Sequence, residues 1–142
     1  MSNHEEYVTY QQAVELKRLG FDWPCRTWYK QEGKFYDQGI PGNVNSSPRT
    51  QQIQPQSASA PSQAVAMRWM REVKVIDINI YTLFEIDCTG KSIKRRRLYK
   101  IDIFRKMRRV GIAHSNYPTY EAALSAGLDA CLELIGKEEE NA

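Results

Sequence analysis

The sequence predicts an α+β domain in which an antiparallel sheet, an N-terminal hairpin plus a three-stranded meander, carries three helices mainly on one face. Three observations predict it. Ile76, Ile78, Ile80, Thr82, Phe84 and Ile86 alternate with Asp77, Asn79, Tyr81, Leu83 and Glu85, the period of a half-buried strand. Residues 120–135 place Tyr120, Leu124, Gly127, Leu128, Cys131, Leu132 and Ile135 on one stripe of a helix. Glycine-bearing turns at Gly33 and Gly90 separate short β-prone runs, as hairpins require.

The first helix covers about residues 10–19. Thr9 is a favourable N-cap and Gln12 stands three residues on, a capping box in which the two side chains satisfy orphan backbone donors. Gly20 supplies a left-handed residue after the last turn, and Phe21 the apolar contact of a Schellman stop. Residues 27–30 and 34–36 are aromatic and β-prone, and Gln31-Glu32-Gly33 joins them as a hairpin. Residues 37–60 then turn to Gln, Ser, Pro, Asn and Gly, with Ile40, Val44 and Ile53 as the only apolar anchors, so a mobile loop is expected. A second helix follows over 61–73, capped by Ser59, with Val65, Ala66, Trp69, Met70 and Val73 as a narrow apolar stripe.

The meander comes next. A turn at Thr89-Gly90 would oppose Ile86 to Ile93, Ile80 to Tyr99, Ile78 to Ile101 and Ile76 to Ile103 on one face, with Glu85 opposite Lys94 on the other. The same register opposes Asp77 to Asp102, an unfavourable pairing of like charges. A second turn at 105–108 would bring Val110 opposite Ile103 and Ile112 opposite Ile101. The last helix, 120–135, has Thr119 as its N-cap and Gly136 as its stop, which leaves 137–142 as a frayed acidic tail. The whole chain, 1–142, is expected to form a single domain.

With 42% apolar and 26% charged residues, the chain has the composition of an ordinary globular protein. No apolar run approaches the roughly 20 residues of a membrane-spanning helix, so no membrane partner is expected. Residues 1–6 are polar and acidic, without the basic start and apolar stretch of a signal peptide. The expected compartment is the cytoplasm of a bacterium or of an infected host cell. Cys25, Cys88 and Cys131 are odd in number and widely separated, so reduced thiols are expected.

Three segments together resemble a known family. They are Y-Q-Q-A-V-E-L-K-R-L-G-F-D-W-P-C from Tyr10 to Cys25, S-A-P-S-Q-A-V-A-M-R-W-M-R-E from Ser59 to Glu72, and Y-P-T-Y-E-A-A-L-S-A-G-L from Tyr117 to Leu128. In this order they resemble a family of short uncharacterised proteins of Bacteroidetes-type gut bacteria and of their phages and mobile elements. The resemblance covers about a third of the chain and implies an origin and a compartment, with no activity, ligand or functional residue to carry over.

Most catalytic chemistry lacks its residues here. His4 and His114 are far apart and no C-x-x-C or H-x-x-x-H spacing presets a metal site, so neither metal nor cofactor is expected. A nucleophilic cysteine needs a base or another group that lowers its pKa. Cys131 lies on the apolar stripe of the last helix, Cys25 follows a proline, and Cys88 sits by a turn with His114 at the end of the last strand. A packed thiol, a turn cysteine and a surface histidine describe these best. Thr89-Gly90-Lys91-Ser92 ends like a phosphate-binding loop, yet it lacks the preceding glycine and a strand follows it. No catalytic residue is assigned.

Two features remain. Phe21, Trp23, Trp28, Tyr29, Phe35 and Tyr36 crowd one stretch, and Trp28 and Tyr29 are candidates for an exposed interaction surface. Lys91, Lys94, Arg95, Arg96, Arg97, Lys100, Arg105, Lys106, Arg108 and Arg109 are ten of the chain's 20 basic residues, against Asp102 alone. That segment is therefore +9 and the rest of the +3 chain is −6. Alternation sends Lys94, Arg96 and Lys100 to one face and Arg95 and Arg97 to the other, while Arg105 to Arg109 lie about 25 Å away at the other end of the strand. Such a stripe suits a polyanion, and it also suits a solvated sheet edge guarded against aggregation by charge. The leading expectation is a non-catalytic accessory protein of a phage or mobile element that binds nucleic acid weakly through the basic meander. The alternative is a protein-interaction module that grips a host or virion protein through exposed aromatics or the 37–60 segment, with an enzyme third.

Overall fold

The computed structural model describes residues 6–88, 90, 93–105, 108–112 and 116–141, and the α+β class holds. The expected single sheet is replaced by two antiparallel sheets of three strands each. The chain divides into two compact units, Met1–Trp69 and Met70–Ala142, with one sheet in each.

In the first unit, α1 (Tyr10–Arg18) begins at the expected capping box: Thr9 accepts from the Gln12 amide and the Gln12 side chain accepts from the Thr9 amide. Its end is the expected Schellman stop. Gly20 takes φ +95°, the Phe21 amide donates to the Leu16 carbonyl at 2.9 Å, and the Phe21 ring is buried. Strands β1 (Cys25–Tyr29) and β2 (Phe35–Gly42) form the hairpin, pairing Tyr29 with Phe35 and Trp28 with Tyr36. Glu32 and Gly33 both take positive φ at its turn.

The 37–60 segment, expected as a mobile loop, carries regular structure. It continues β2, makes a 3₁₀ turn at Val44–Ser46 and a short helix α2 (Pro48–Ile53), then returns as β3 (Ala58–Ser59) on the other side of β1. The anchors are amides instead of apolar groups. Asn43 donates to the Trp23 carbonyl at 2.7 Å and Asn45 to the Phe21 carbonyl at 3.0 Å. Their side-chain oxygens accept from Ser59, Asn43 from the hydroxyl and Asn45 from the amide. Ile40 and Ile53 remain exposed, and Val44 alone of the three expected anchors is buried. Because Ser59 is spent in β3, the cap of the next helix falls to Ser62, whose hydroxyl accepts from Val65. That helix, α3 (Gln63–Trp69), buries Ala66 and Trp69, with Trp69 edge-on to Phe21 at 5.6 Å. The chain then widens into a π-helical turn, Met70–Lys74, and leaves it through Val75 at φ +58°. Val73, expected on the apolar stripe, is exposed.

The second unit is the meander β4 (Ile76–Asp87), β5 (Lys94–Arg105) and β6 (Arg108–Ile112), with α4 (Tyr120–Glu140) against β4 and β5. The face alternation is as expected, but the register is shifted by two residues. Ile78 opposes Ile103, Ile80 opposes Ile101, Phe84 opposes Arg97 and Ile86 opposes Arg95. A shift of two keeps every side chain on its face while relieving the like-charge pairing, because Asp102 now opposes Asn79. β5 and β6 pair Arg105 with Arg108, then slip by one at a bulge, so Ile112 opposes Asp102 and not Ile101. Helix α4 starts at the expected Thr119 cap and buries Leu124, Gly127, Leu128, Cys131, Leu132 and Ile135. Tyr120, expected on that stripe, is exposed. The expected stop at Gly136 and frayed tail give way to helix as far as Glu140. A glycine ends a helix only in the left-handed conformation, which Gly136 does not adopt. The last turns also carry a Glu133–Lys137 ion pair at 3.2 Å and an Arg105–Glu138 contact at 2.7 Å.

Candidate nucleic-acid interface

The ten basic residues divide into four sets. Lys91 and Lys106 lie outside the described residues, as do His4 and His114. Lys94 belongs to β5, where its backbone pairs with Asp87. At the near end, Arg105 is partly covered and held against Glu138, while Arg108 and Arg109 are exposed, opposite Arg105 and Phe104. The remaining four lie along β5: Arg95, Arg96 and Arg97 are exposed, and Lys100, opposite Tyr81, is half-buried.

The far end of the hairpin explains why those arginines stand free. Strand β6 pairs with β5 only from Asp102 to Arg105, and Tyr117 bridges to Tyr99. Beyond that point, among the described residues, the last stretches of β4 and β5 pair only with each other, a two-stranded arm about 20 Å long at roughly 3.4 Å per residue. Helix α4 covers the other end. A Cβ built on Gly127 would approach Ile78 and Ile101, both of which lie before the arm. The apolar face of the meander therefore runs out from under its cover, leaving Phe84 63% and Ile86 59% exposed. Arg95 and Arg97 stand directly opposite these two residues on the same face, with the Arg97 guanidinium 5.6 Å from the centroid of the Phe84 ring. Together the four side chains line a concavity of about 490 Å3. Arg96 points to the opposite face, where Glu85 is its cross-strand neighbour.

Sequence reasoning singled out the arginines and missed Phe84 and Ile86. The alternation that marks a core strand resumes in the arm at Phe84, Glu85 and Ile86, so it cannot show where the covering helix ends. The signal was the register, since Phe84–Arg97 and Ile86–Arg95 are pairings no buried face would hold.

Of the two candidate interaction aromatics, Tyr29 is corrected. It is 8% exposed, its hydroxyl donates to the Val8 carbonyl at 2.6 Å, and its ring packs edge-on to Tyr10 and Phe35. Adjacent strand residues face opposite ways, so inward Tyr29 sends Trp28 outward. Trp28 is half-buried and edge-on to exposed Tyr36, with the Lys30 ammonium 4.2 Å from the Tyr36 ring centroid.

Cys25, Cys131 and the concavity beside α1 add no activated nucleophile among the described residues. Burial pushes the Cys131 thiol up to about 12 and also raises that of Cys25, the reverse of what activates a nucleophile. A concavity of about 810 Å3 beside α1 includes Tyr10, Val14, Lys17 and Pro55. The Lys17 ammonium there donates to the carbonyls of Pro55 and Ser57, and partial burial lowers its pKa. Glu15 in the same wall is paired with Arg18 at 2.9 Å.

No family model, curated protein or solved structure matches the chain. Fold and site define its class as a two-unit α+β protein whose arginine-bearing β-arm leaves the face of Phe84 and Ile86 exposed. No helix among the described residues is long and apolar enough to cross a membrane.

Proposed function

We propose that this chain is a non-catalytic accessory protein of a phage or mobile element that binds nucleic acid weakly through its basic meander, in the cytoplasm of a bacterium or an infected host cell. The observation that carries the reading is the exposure of Arg95, Arg96 and Arg97 on both faces of the arm, within a segment of +9. Cations on both faces of a ribbon can neutralise phosphates from whichever side the strand approaches, and the guanidinium is the side chain best shaped for phosphate.

Affinity of this kind is tolerant of sequence and falls with salt, with a log–log slope near −0.9 for each phosphate neutralised on duplex DNA. Replacing Arg95, Arg96 and Arg97 by Gln should flatten the slope by about two to three. The backbone ladder, which needs none of these side chains, should keep the melting temperature close to wild type. Absence of binding to single- or double-stranded DNA or RNA at low salt would overturn the proposal. The alternative, an interaction module for a host or virion protein, retains half-buried Trp28 beside exposed Tyr36. It loses Tyr29 to the core.

A further inference from the structure

We infer that Phe84 is a stacking platform for an unpaired base of a single-stranded nucleic acid, with Arg95 and Arg97 holding the adjoining phosphates. The inference rests on the nucleic-acid reading and names its substrate class. Phe84 keeps 63% of its surface exposed even with the Arg97 guanidinium over its ring, so much of the ring stays open to a second flat partner. Ile86 forms the apolar floor beside it, and the concavity of about 490 Å3 is of the size that takes a small planar group. The arm's residues on this face are Thr82, Phe84 and Ile86 from β4 and Arg95, Arg97 and Tyr99 from β5, with no acid among them. A polyanion can therefore reach the ring without repulsion.

Chemistry selects the single strand over the duplex. A duplex keeps the faces of its bases stacked inside and offers only edges and phosphates, which gives an exposed phenyl ring nothing to stack on. A single strand offers both parts at once, a base face for Phe84 and a phosphate within reach of each arginine. Because the base face is read and the sugar is not, DNA and RNA strands share the recognised chemistry.

The test uses the full chain and one mixed-sequence oligonucleotide, presented as a DNA strand, as the RNA strand of the same sequence and as the DNA duplex. Binding is followed by fluorescence anisotropy across a salt series. Both single strands should bind more tightly than the duplex. Phe84→Ala should weaken single-strand binding by about 5- to 100-fold, the range for losing one stacked base, with its salt slope unchanged. Phe84→Leu, which keeps apolar bulk without a ring, should lose as much, and Phe84→Trp should retain affinity. Wild-type affinity in Phe84→Leu would overturn the inference, because an apolar contact such as an acidic peptide makes would then suffice. If Phe84→Ala changes nothing while Arg95→Gln with Arg97→Gln still flattens the slope, the stacking inference fails and the basic-meander reading stands. No binding to any of the three probes overturns both.

Discussion

A Cβ built on Gly127 would stand 2.8 Å from Ile78 Cγ2 and 3.6 Å from Ile101 Cδ1, so α4 lies on its strands at a distance only glycine allows. Ile78 is β-branched and held in a paired strand, and its methyl cannot swing aside cheaply. Gly127→Ala should therefore lower stability by about 1–3 kcal/mol, outweighing the gain of roughly 1 kcal/mol in helix propensity. Gly136 has nothing within 4 Å and helical backbone, so Gly136→Ala should raise stability by about 0.5–1 kcal/mol. Urea midpoints moving in opposite directions would confirm the pair, while a rise in both would mean that α4 sits farther from the sheet. Gly127 was legible in the sequence as a member of the apolar stripe of the last helix. Gly136 was misjudged because composition does not reveal whether a glycine near a helix end turns left-handed. Tyr29 and Trp28 teach the same at this scale: two adjacent aromatics on a strand cannot both face outward, and neither ring says which one does.

Among the elements, those whose signals are local were legible. The capping box and stop of α1, the Thr119 cap of α4 and the face alternation of β4 depend on residues within one or two turns. The pairing of β4 with β5 depends on how many residues the connection takes up, and one that pairs Asp87 with Lys94 is longer than the tight turn at Thr89-Gly90. The 37–60 segment failed for a different reason. Its order comes from Asn43 and Asn45, whose amides replace missing backbone partners for Phe21 and Trp23, and a search for apolar anchors cannot find such bonds. Asn45→Ala removes the acceptor of the Ser59 amide as well as the donor to Phe21. Leaving part-buried groups unpaired typically costs about 1–3 kcal/mol. The Ser59 amide should exchange with solvent markedly faster in the variant. Unchanged exchange there would show that β3 is held by its pairing with β1 alone.

On the scale of the whole molecule, the expected one sheet became two because β1 found its second neighbour in β3, inside the segment expected to be a loop. Within the second unit, basic residues gather on the meander and acidic ones toward the end of α4, where Glu138 meets Arg105. The sequence showed that charge asymmetry plainly, but how far a helix reaches along a strand is a property of the assembled unit. The reach of α4 has a further consequence, in the free energy of local opening. Among the described residues, the arm beyond Tyr99 pairs with no third strand, and its Phe84 and Ile86 face lies beyond the reach of α4, so the arm can open without the rest of its sheet. Its amides should exchange faster than those of Ile78, Ile101 and Ile103, which the helix or a neighbouring strand secures. A ligand that binds the closed arm alone would protect those same amides and few others, by about 2.7 kcal/mol at a hundredfold excess over Kd. Exchange in the arm as slow as at Ile101 would show that arm and sheet open as one cooperative unit, and ligand protection would then spread across the entire meander.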